Sequence, residues 1–148
     1  MKHAAFIDQL DHRVIEAAIA RAEKLTSGEI RVFISPKPAP EPVAAAQDVF
    51  TKLGMTRTKH RNAVLIFVAP SSQTFAVIGD EGVHAKCGDT FWSEIATAMS
   101  GHFRDGKFTA GVVHGIERAG ALLAENFPRQ PGDIDELPNA VVTRPPVI

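Results

Sequence analysis

Seven consecutive apolar residues, Ala63–Ala69 (AVLIFVA), constrain the fold of this chain more than any other feature. A run this short and this rich in β-branched residues is typical of a β-strand that is buried on both faces. Such a strand needs a layer of packed structure above it and another below it. The run therefore predicts a central strand with helices on both sides.

The segments around this strand alternate between helical and strand patterns. Ile30, Val32 and Ile34 recur at every second position, which predicts a strand before the central one. The turn at 70–72 and the segment 73–79 predict a third strand that returns antiparallel. Apolar residues at helical spacing predict helices over 11–25, 43–54, 90–103 and 108–127.

This order of elements, α-β-α-β-β-α-α, defines the fold class. A strand-helix-strand crossover pairs the first two strands in parallel, and the short turn adds the third strand antiparallel. We therefore predict an α/β fold, a three-layer α/β/α sandwich around a small mixed β-sheet.

Proline marks the predicted domain boundary. The chain has 148 residues and ten prolines, of which four lie between Pro36 and Pro42 and five between Pro128 and Pro146. Proline lacks the N–H that helices and sheets need, so both stretches interrupt regular structure. We predict a domain over 1–127 and a Pro-rich extended tail over 128–148, outside the core. The alternative is a tail that docks through Leu137, Val141 and Val142.

The charge and cysteine content exclude several classes of protein. Sixteen basic residues balance 17 acidic ones, which argues against a nucleic-acid partner. The single cysteine, Cys87, excludes an internal disulfide framework. No apolar run reaches the roughly 18 residues of a membrane span, and the N-terminus does not resemble a signal peptide. We expect a cytoplasmic, soluble protein with no membrane insertion.

The predicted topology brings polar residues to one edge of the sheet. The first two strands begin there and the third ends there, so Glu29 and the loops 56–62 and 79–89 meet; we call this region the polar edge. Ligands of open parallel sheets usually bind at the opposite edge, beyond the carboxyl ends of the strands. In this chain that edge carries the proline loop, which is poor in catalytic groups, and we favour the polar edge.

Acidic side chains at the polar edge suggest a divalent cation. Asp80, Glu81 and Asp89 offer carboxylate oxygens and Asn62 an amide oxygen, which are the ligands of Ca²⁺ and Mg²⁺. We take Asn62, Asp80 and Glu81 as the candidate metal ligands. The alternative is structural, with residues 80–82 forming a turn and Asp89 capping a helix.

Other residues of the polar edge suggest different chemistry. His84 and Cys87 could bind a soft metal, but two ligands are too few for a closed zinc site. The basic loop around Arg61 could bind a phosphate or carboxylate group, since arginine matches these anions with paired hydrogen bonds. The alternative is a solvated loop whose charges offset Asp80 and Glu81.

Four motifs together resemble a known family. The segments TSGEIRV (26–32), RNAVLI (61–66), GDEGV (79–83) and FRDGKFTAG (103–111) occur in the order and spacing of TPM domains. The family includes a thylakoid-lumen protein of photosystem II repair, with an ascribed acid phosphatase activity, and bacterial relatives. The resemblance implies an α/β sandwich and, for some members, a divalent ion. It identifies the chain as similar to a small bacterial-type member.

Departures from the family pattern bear on the choice between two functions. Where the family often has Asp-Asn-Gly, this chain has Arg61-Asn62-Ala63, and an arginine there disfavours a nearby cation. Because the site also lacks a complete catalytic constellation, we place first a binding or accessory module that holds a protein partner or a small anion at the polar edge. The alternative is a divalent-metal-assisted phosphatase acting on a phosphomonoester. The candidate binding residues are Glu29, Arg61, Asn62, Asp80, Glu81, His84 and Asp89.

Overall fold

The computed structural model describes residues 2–88, 90–132 and 137–143. The described part of the chain contains three strands: β1 (Glu29–Ile34), β2 (Ala63–Ala69) and β3 (Thr74–Gly79). The α-helices, in chain order, are α1 (His3–Asp8), α2 (His12–Glu23), α3 (Pro42–Lys52), α4 (Glu81–Cys87), α5 (Thr90–Arg104) and α6 (Phe108–Asn126).

The three strands form one mixed sheet in the order β1-β2-β3. β1 runs parallel to β2, with Glu29 opposite Ala63 and Ile34 opposite Val68. β3 runs antiparallel to β2, with Gly79 opposite Val64. The seven residues of β2 are all buried, as the apolar run predicted. The predicted α/β fold class and its mixed sheet are confirmed.

Alternate residues of the strands supply two hydrophobic clusters on the two faces of the sheet. Ile30, Ile66 and Val77 pack with α1, α2, α5 and α6 on one face. Phe33 and Leu65 pack with α3 on the other. Because side chains alternate between the faces of a strand, one short strand can join both clusters. The sandwich therefore has three layers, with the larger helical layer on the first face.

Two short helices are absent from the predicted order. α1 has six residues and α4 has seven, too few turns for a clear helical repeat of apolar residues. α4 replaces most of the predicted loop 79–89, because Asp80 caps its first turn by accepting a hydrogen bond from the Glu81 N–H. This correction changes which side chains share a face at the polar edge.

The C-terminal segment differs from the expectation that it lies outside the core. Val142 forms a bridge parallel to Phe33, and its N–H donates to the Val32 carbonyl at 2.9 Å. The Ile34 N–H in turn donates to the Val142 carbonyl at 2.8 Å. Leu137 and Val141 also pack against the clusters. Open strand edges favour added pairing, and Val142 adds such a pairing beside β1.

Among the described residues, no helix is both long enough and apolar enough to cross a membrane.

Candidate functional site

The sheet positions the polar edge as the topology predicted. Glu29 begins β1, Asn62 precedes β2, and Asp80 follows β3. The Asp80 N–H donates to the Ala63 carbonyl at 2.9 Å, which ties the end of β3 to the start of β2. The structure therefore brings six of the candidate residues to one edge: Glu29, Arg61, Asn62, Asp80, Glu81 and His84. Asp89, the seventh, lies outside the described residues.

A paired hydrogen bond between Arg61 and Asp80 dominates this edge. Arg61 Nε donates to one Asp80 carboxylate oxygen at 2.6 Å, and Nη2 donates to the other at 2.7 Å. The Asp80 side chain is only 5% exposed, against 39% for Arg61. Two parallel N–H···O bonds to a carboxylate are stronger and more directional than a single ionic contact. Asp80 is a candidate metal ligand, and both of its carboxylate oxygens are already bound to the Arg61 guanidinium.

Arg61 also contacts the second acid. Its Nη1 lies 3.3 Å from Oε1 of Glu81, whose side chain is 73% exposed. The hydrogen bonds that Arg61 donates to Asp80 are the main cause that raises the pKa of Arg61 above its ordinary value, and the nearby carboxylates add to it. Arg61 is thus held positive between two acids, and its charge disfavours a cation beside them.

Asn62 and Glu29 form the buried floor beneath this pair. Asn62 is fully buried, and its Nδ2 donates to Ser27 Oγ at 3.2 Å. Its Oδ1 is buried without a hydrogen-bond partner among the described residues. Glu29 is also buried, and its backbone N–H lies 3.4 Å from the Asn62 carbonyl that accepts it. Both residues stabilise the start of the sheet, and neither presents its side chain to solvent.

Gly82 sets the distance between α4 and the basic loop. Its N–H donates to the Arg61 carbonyl at 2.9 Å. A Cβ at this position would lie 2.3 Å from the His60 carbonyl oxygen and 2.6 Å from that of Arg61. These are backbone atoms that cannot rotate away, so only glycine permits the approach. At this contact the backbone of Arg61 adopts a left-handed conformation, with φ 51°.

Two clefts flank the Arg61–Asp80 pair. The first, which we call the His60 cleft, has a volume of about 350 Å³. The second, the Trp92 cleft, has a volume of about 330 Å³ and includes Asp80, His84 and Trp92. The described lining of the His60 cleft is Ser27, His60, Gly82, Ala85, Lys86, Phe127, Pro128 and Gln130.

The His60 cleft carries basic groups without an acid in its described lining. His60 and Lys86 are both exposed, and Lys86 Nζ lies 4.7 Å from the centre of the Phe127 ring. A cation over an aromatic face is attracted by the negative face of the ring, which limits the positions of the lysine head group. The cleft therefore presents a positioned positive charge beside a weakly basic ring.

Sequence reasoning missed Lys86 because it treated 79–89 as a loop. On a helix, Lys86 and Gly82 are four residues apart and share a face. The close contact at Gly82 therefore points Lys86 toward the same side as His60. The Asp80 cap was the one signal that could have predicted α4, since Asp before a Glu in the first helical turn is a common helix start.

The predicted metal and thiol sites gain no further ligands. Among the described residues there is no group of three or more His, Cys, Asp or Glu side chains that could hold a metal ion. The ring of His84 instead packs against that of Trp92, with 4.9 Å between centroids. Burial raises the pKa of the Cys87 thiol, and the charge of Glu125 adds to the rise. A thiol with a raised pKa is a poor nucleophile at neutral pH.

Comparison with known proteins tests the resemblance. The family model of the TPM domain matches residues 1–122. The chain belongs to the TPM domain family. Its fold is similar to the NMR structure of BA42 protein from the psychrophilic bacterium Bizionia argentinensis, with 43% sequence identity and a TM-score of 0.84. The match covers 90% of this chain and 92% of BA42.

A more distant structure shows the same fold. The N-terminal domain of a protein from P. gingivalis, also solved by NMR, has 18% identity and a TM-score of 0.61. That match covers 80% of this chain and 78% of the other. No functionally curated protein matches. The predicted family is confirmed, and the activity of its polar edge is a matter for proposal.

Proposed function

We propose that this TPM domain is a binding module whose polar edge takes a small anion with a phosphate or carboxylate group. One observation carries the proposal: Arg61 binds both carboxylate oxygens of Asp80, while the adjoining His60 cleft offers basic groups. The first feature places a positive charge on both oxygens of the acid that a cation would use. The second supplies the positive charge and the N–H donors that an anion needs.

The His60 cleft has the donors that an anion requires. Lys86 provides a full positive charge, and His60 provides a ring N–H. Ser27 Oγ accepts from Asn62 Nδ2, which leaves its hydroxyl hydrogen available to the cleft among the described contacts. Phosphate oxygens accept several hydrogen bonds at once, so donors from three chain segments favour a phosphate over a chloride.

The rigidity of the surrounding elements supports binding. Ser27 precedes β1, His60 belongs to the basic loop, and Lys86 lies on α4. These segments are joined by the Gly82–Arg61 hydrogen bond and by the buried Asn62. Donors held in place before a ligand arrives lose little conformational entropy on binding.

The alternative predicted from the sequence, a divalent-metal-assisted phosphatase, ranks second. Asn62, Asp80 and Glu81 are its candidate ligands for Ca²⁺ or Mg²⁺. In this arrangement Asp80 does not fit an ion, because Arg61 occupies both of its oxygens. The buried Oδ1 of Asn62 is the feature that favours the alternative.

Calorimetric titration with inorganic phosphate tests the proposal. We expect saturable binding to the intact protein, and about fivefold weaker binding to Lys86→Gln, since one partly exposed charge pair is lost. Lys52→Gln is the matched control, because Lys52 is a half-exposed lysine on α3 that pairs with Asp48 and is absent from the described lining of the His60 cleft. Its affinity for phosphate should equal that of the unchanged protein.

Two results would overturn the small-anion proposal. One is the absence of saturable phosphate binding by folded protein, which would favour the protein partner that the sequence also suggested. The other is an equal effect of Lys86→Gln and Lys52→Gln, which would mean that only net charge matters. The cytoplasmic location predicted from the sequence accompanies this proposal, and cell fractionation tests it.

A further inference from the structure

A further cleft lies at the opposite edge of the sheet from the polar edge. Its volume is about 590 Å³. It begins at the carboxyl end of β2 and at the start of β3, and it lies between α1, α5 and the first residue of α6. This is the edge at which α/β sheets usually bind their ligands. We call it the Phe103 cleft.

Aromatic rings form the walls of the Phe103 cleft. Phe6 and Phe108 lie 4.8 Å apart, Phe75 and Phe103 5.2 Å, and Phe103 and Phe108 6.2 Å, between ring centroids. Phe6 is buried, while the other three are only partly buried. Partly exposed rings around a concavity keep apolar surface in contact with water, which is typical of a ligand site.

One charged residue lines this apolar cleft. Arg104 is exposed at the end of α5, and it is the only charged side chain in the described lining. Its Nε donates to the Ser100 carbonyl at 3.5 Å, and it forms no ion pair with any described residue. Phe108 is the first residue of α6, so the partial positive charge of a helix N-terminus lies nearby.

We propose that the Phe103 cleft binds an aliphatic monocarboxylate, with the chain between the phenylalanine rings and the carboxylate at Arg104. An uncharged apolar ligand would leave the guanidinium unused, and a cationic one would be repelled by it. A volume of about 590 Å³ lies within the range of small-molecule sites, which is roughly 300–1,000 Å³. This site is separate from the polar edge, so either proposal can fail without the other.

The test is an NMR titration of the isotope-labelled chain with octanoate, beside 1-octanol as the matched neutral ligand. Octanoate should shift the amide signals of 73–75 and 100–104 saturably, and it should bind more tightly than octanol. Arg104→Gln should weaken octanoate about fivefold and leave octanol unchanged. Arg118→Gln, on the exposed surface of α6, is the matched control and should change neither.

Ser100→Phe provides a second variant that fills the cleft from α5, because the half-buried Ser100 lines it. It should abolish the binding of both ligands while circular dichroism shows an unchanged fold. The proposal is overturned if folded protein shows no saturable shifts, if octanol binds as tightly as octanoate, or if Ser100→Phe binds normally. Signals of the cleft that shift on dilution alone would show a contact between two copies, which would also overturn it.

Discussion

At the scale of single residues, Gly82 shows how the structure reverses an expectation from helix propensity. Replacing a glycine inside a helix by alanine usually stabilises the protein by roughly 0.5–1 kcal/mol. At Gly82 the new Cβ would meet two backbone carbonyl oxygens, the nearer at 2.3 Å. The steric cost outweighs the gain in propensity, because neither atom can move without separating α4 from the basic loop.

We therefore predict that Gly82→Ala lowers the free energy of unfolding by about 1–3 kcal/mol. Gly101→Ala is the control, since Gly101 also lies inside a helix and a Cβ there would meet nothing within 4 Å. That substitution should stabilise the protein. Urea denaturation of both variants measures the difference, and a stable Gly82→Ala would contradict the close contact.

The pair formed by Arg61 and Asp80 supports a prediction about coupling. Arg61→Gln leaves a buried carboxylate without its cation, and Asp80→Asn removes the charge but keeps a side chain that can cap α4. Each single change should lower the melting temperature. The double variant should lose less than the sum of the two, because the second change removes an already broken interaction. Additive losses would show that the pair contributes no coupling.

Cys87 supports a prediction about pH. Burial, aided by Glu125, raises the pKa of its thiol, so the neutral form favours the folded state. That contribution to stability is present below the pKa of the unfolded chain and is lost as pH rises through the folded value. Iodoacetamide should therefore alkylate Cys87 more slowly in the folded protein than in the urea-unfolded protein at neutral pH. The midpoint of the plot of alkylation rate against pH should lie at higher pH for the folded protein. Equal midpoints would contradict the raised pKa.

At the scale of elements, the docked C-terminal segment protects the edge of the sheet. An open strand edge exposes unpaired N–H and C=O groups, which invite pairing with another chain. Val142 pairs with both Val32 and Ile34, so it covers the edge of β1 near its carboxyl end. The pairing of Val142 therefore covers part of the edge of β1.

Proline substitutions test this pairing. Val142→Pro removes the N–H that donates to the Val32 carbonyl, and it should lower the free energy of unfolding by about 1–2 kcal/mol. Thr143→Pro is the matched control, because the N–H of Thr143 donates no described hydrogen bond. The extended backbone of Val142, the residue before it, is compatible with a following proline. Hydrogen exchange of the Ile34 amide should accelerate in the first variant alone. Equal acceleration in both would contradict the specific pairing.

The sequence predicted the elements with strong periodic patterns and missed those without them. The apolar run of β2 and the long helices α2, α5 and α6 follow from local pattern, and the strand order follows from the topology rules. The short α4 depends on the contact of Gly82 with the basic loop, which is tertiary. Local pattern cannot reveal a contact between segments about 20 residues apart.

The same distinction applies to the candidate site. Topology was enough to place Glu29, Arg61 and Asp80 at one edge of the sheet. It could not show that Arg61 would bind both oxygens of Asp80, since that depends on the left-handed backbone at Arg61 and on the start of α4. Lys86 was missed for a related reason, because its position depends on the helix that holds it.

At the scale of the whole molecule, the sheet separates two kinds of surface. The polar edge holds charged groups that are already paired, beside the basic His60 cleft. The other edge holds the aromatic Phe103 cleft. The buried β2 joins the two edges through both hydrophobic clusters. The domain thus has a stable centre and two chemically different ends.

The central claim is that the polar edge accepts an anion, because Arg61 already binds both carboxylate oxygens of Asp80 and basic groups line the adjoining His60 cleft. Thermal unfolding of chelator-treated protein, with phosphate in one series and Ca²⁺ or Mg²⁺ in another, tests it most directly. Phosphate at about 100 times its Kd should add roughly 2.7 kcal/mol, a rise of several degrees in Tm, while neither metal changes Tm. A rise with Ca²⁺ or Mg²⁺ that is lost in Asp80→Asn, with no response to phosphate, would contradict the account.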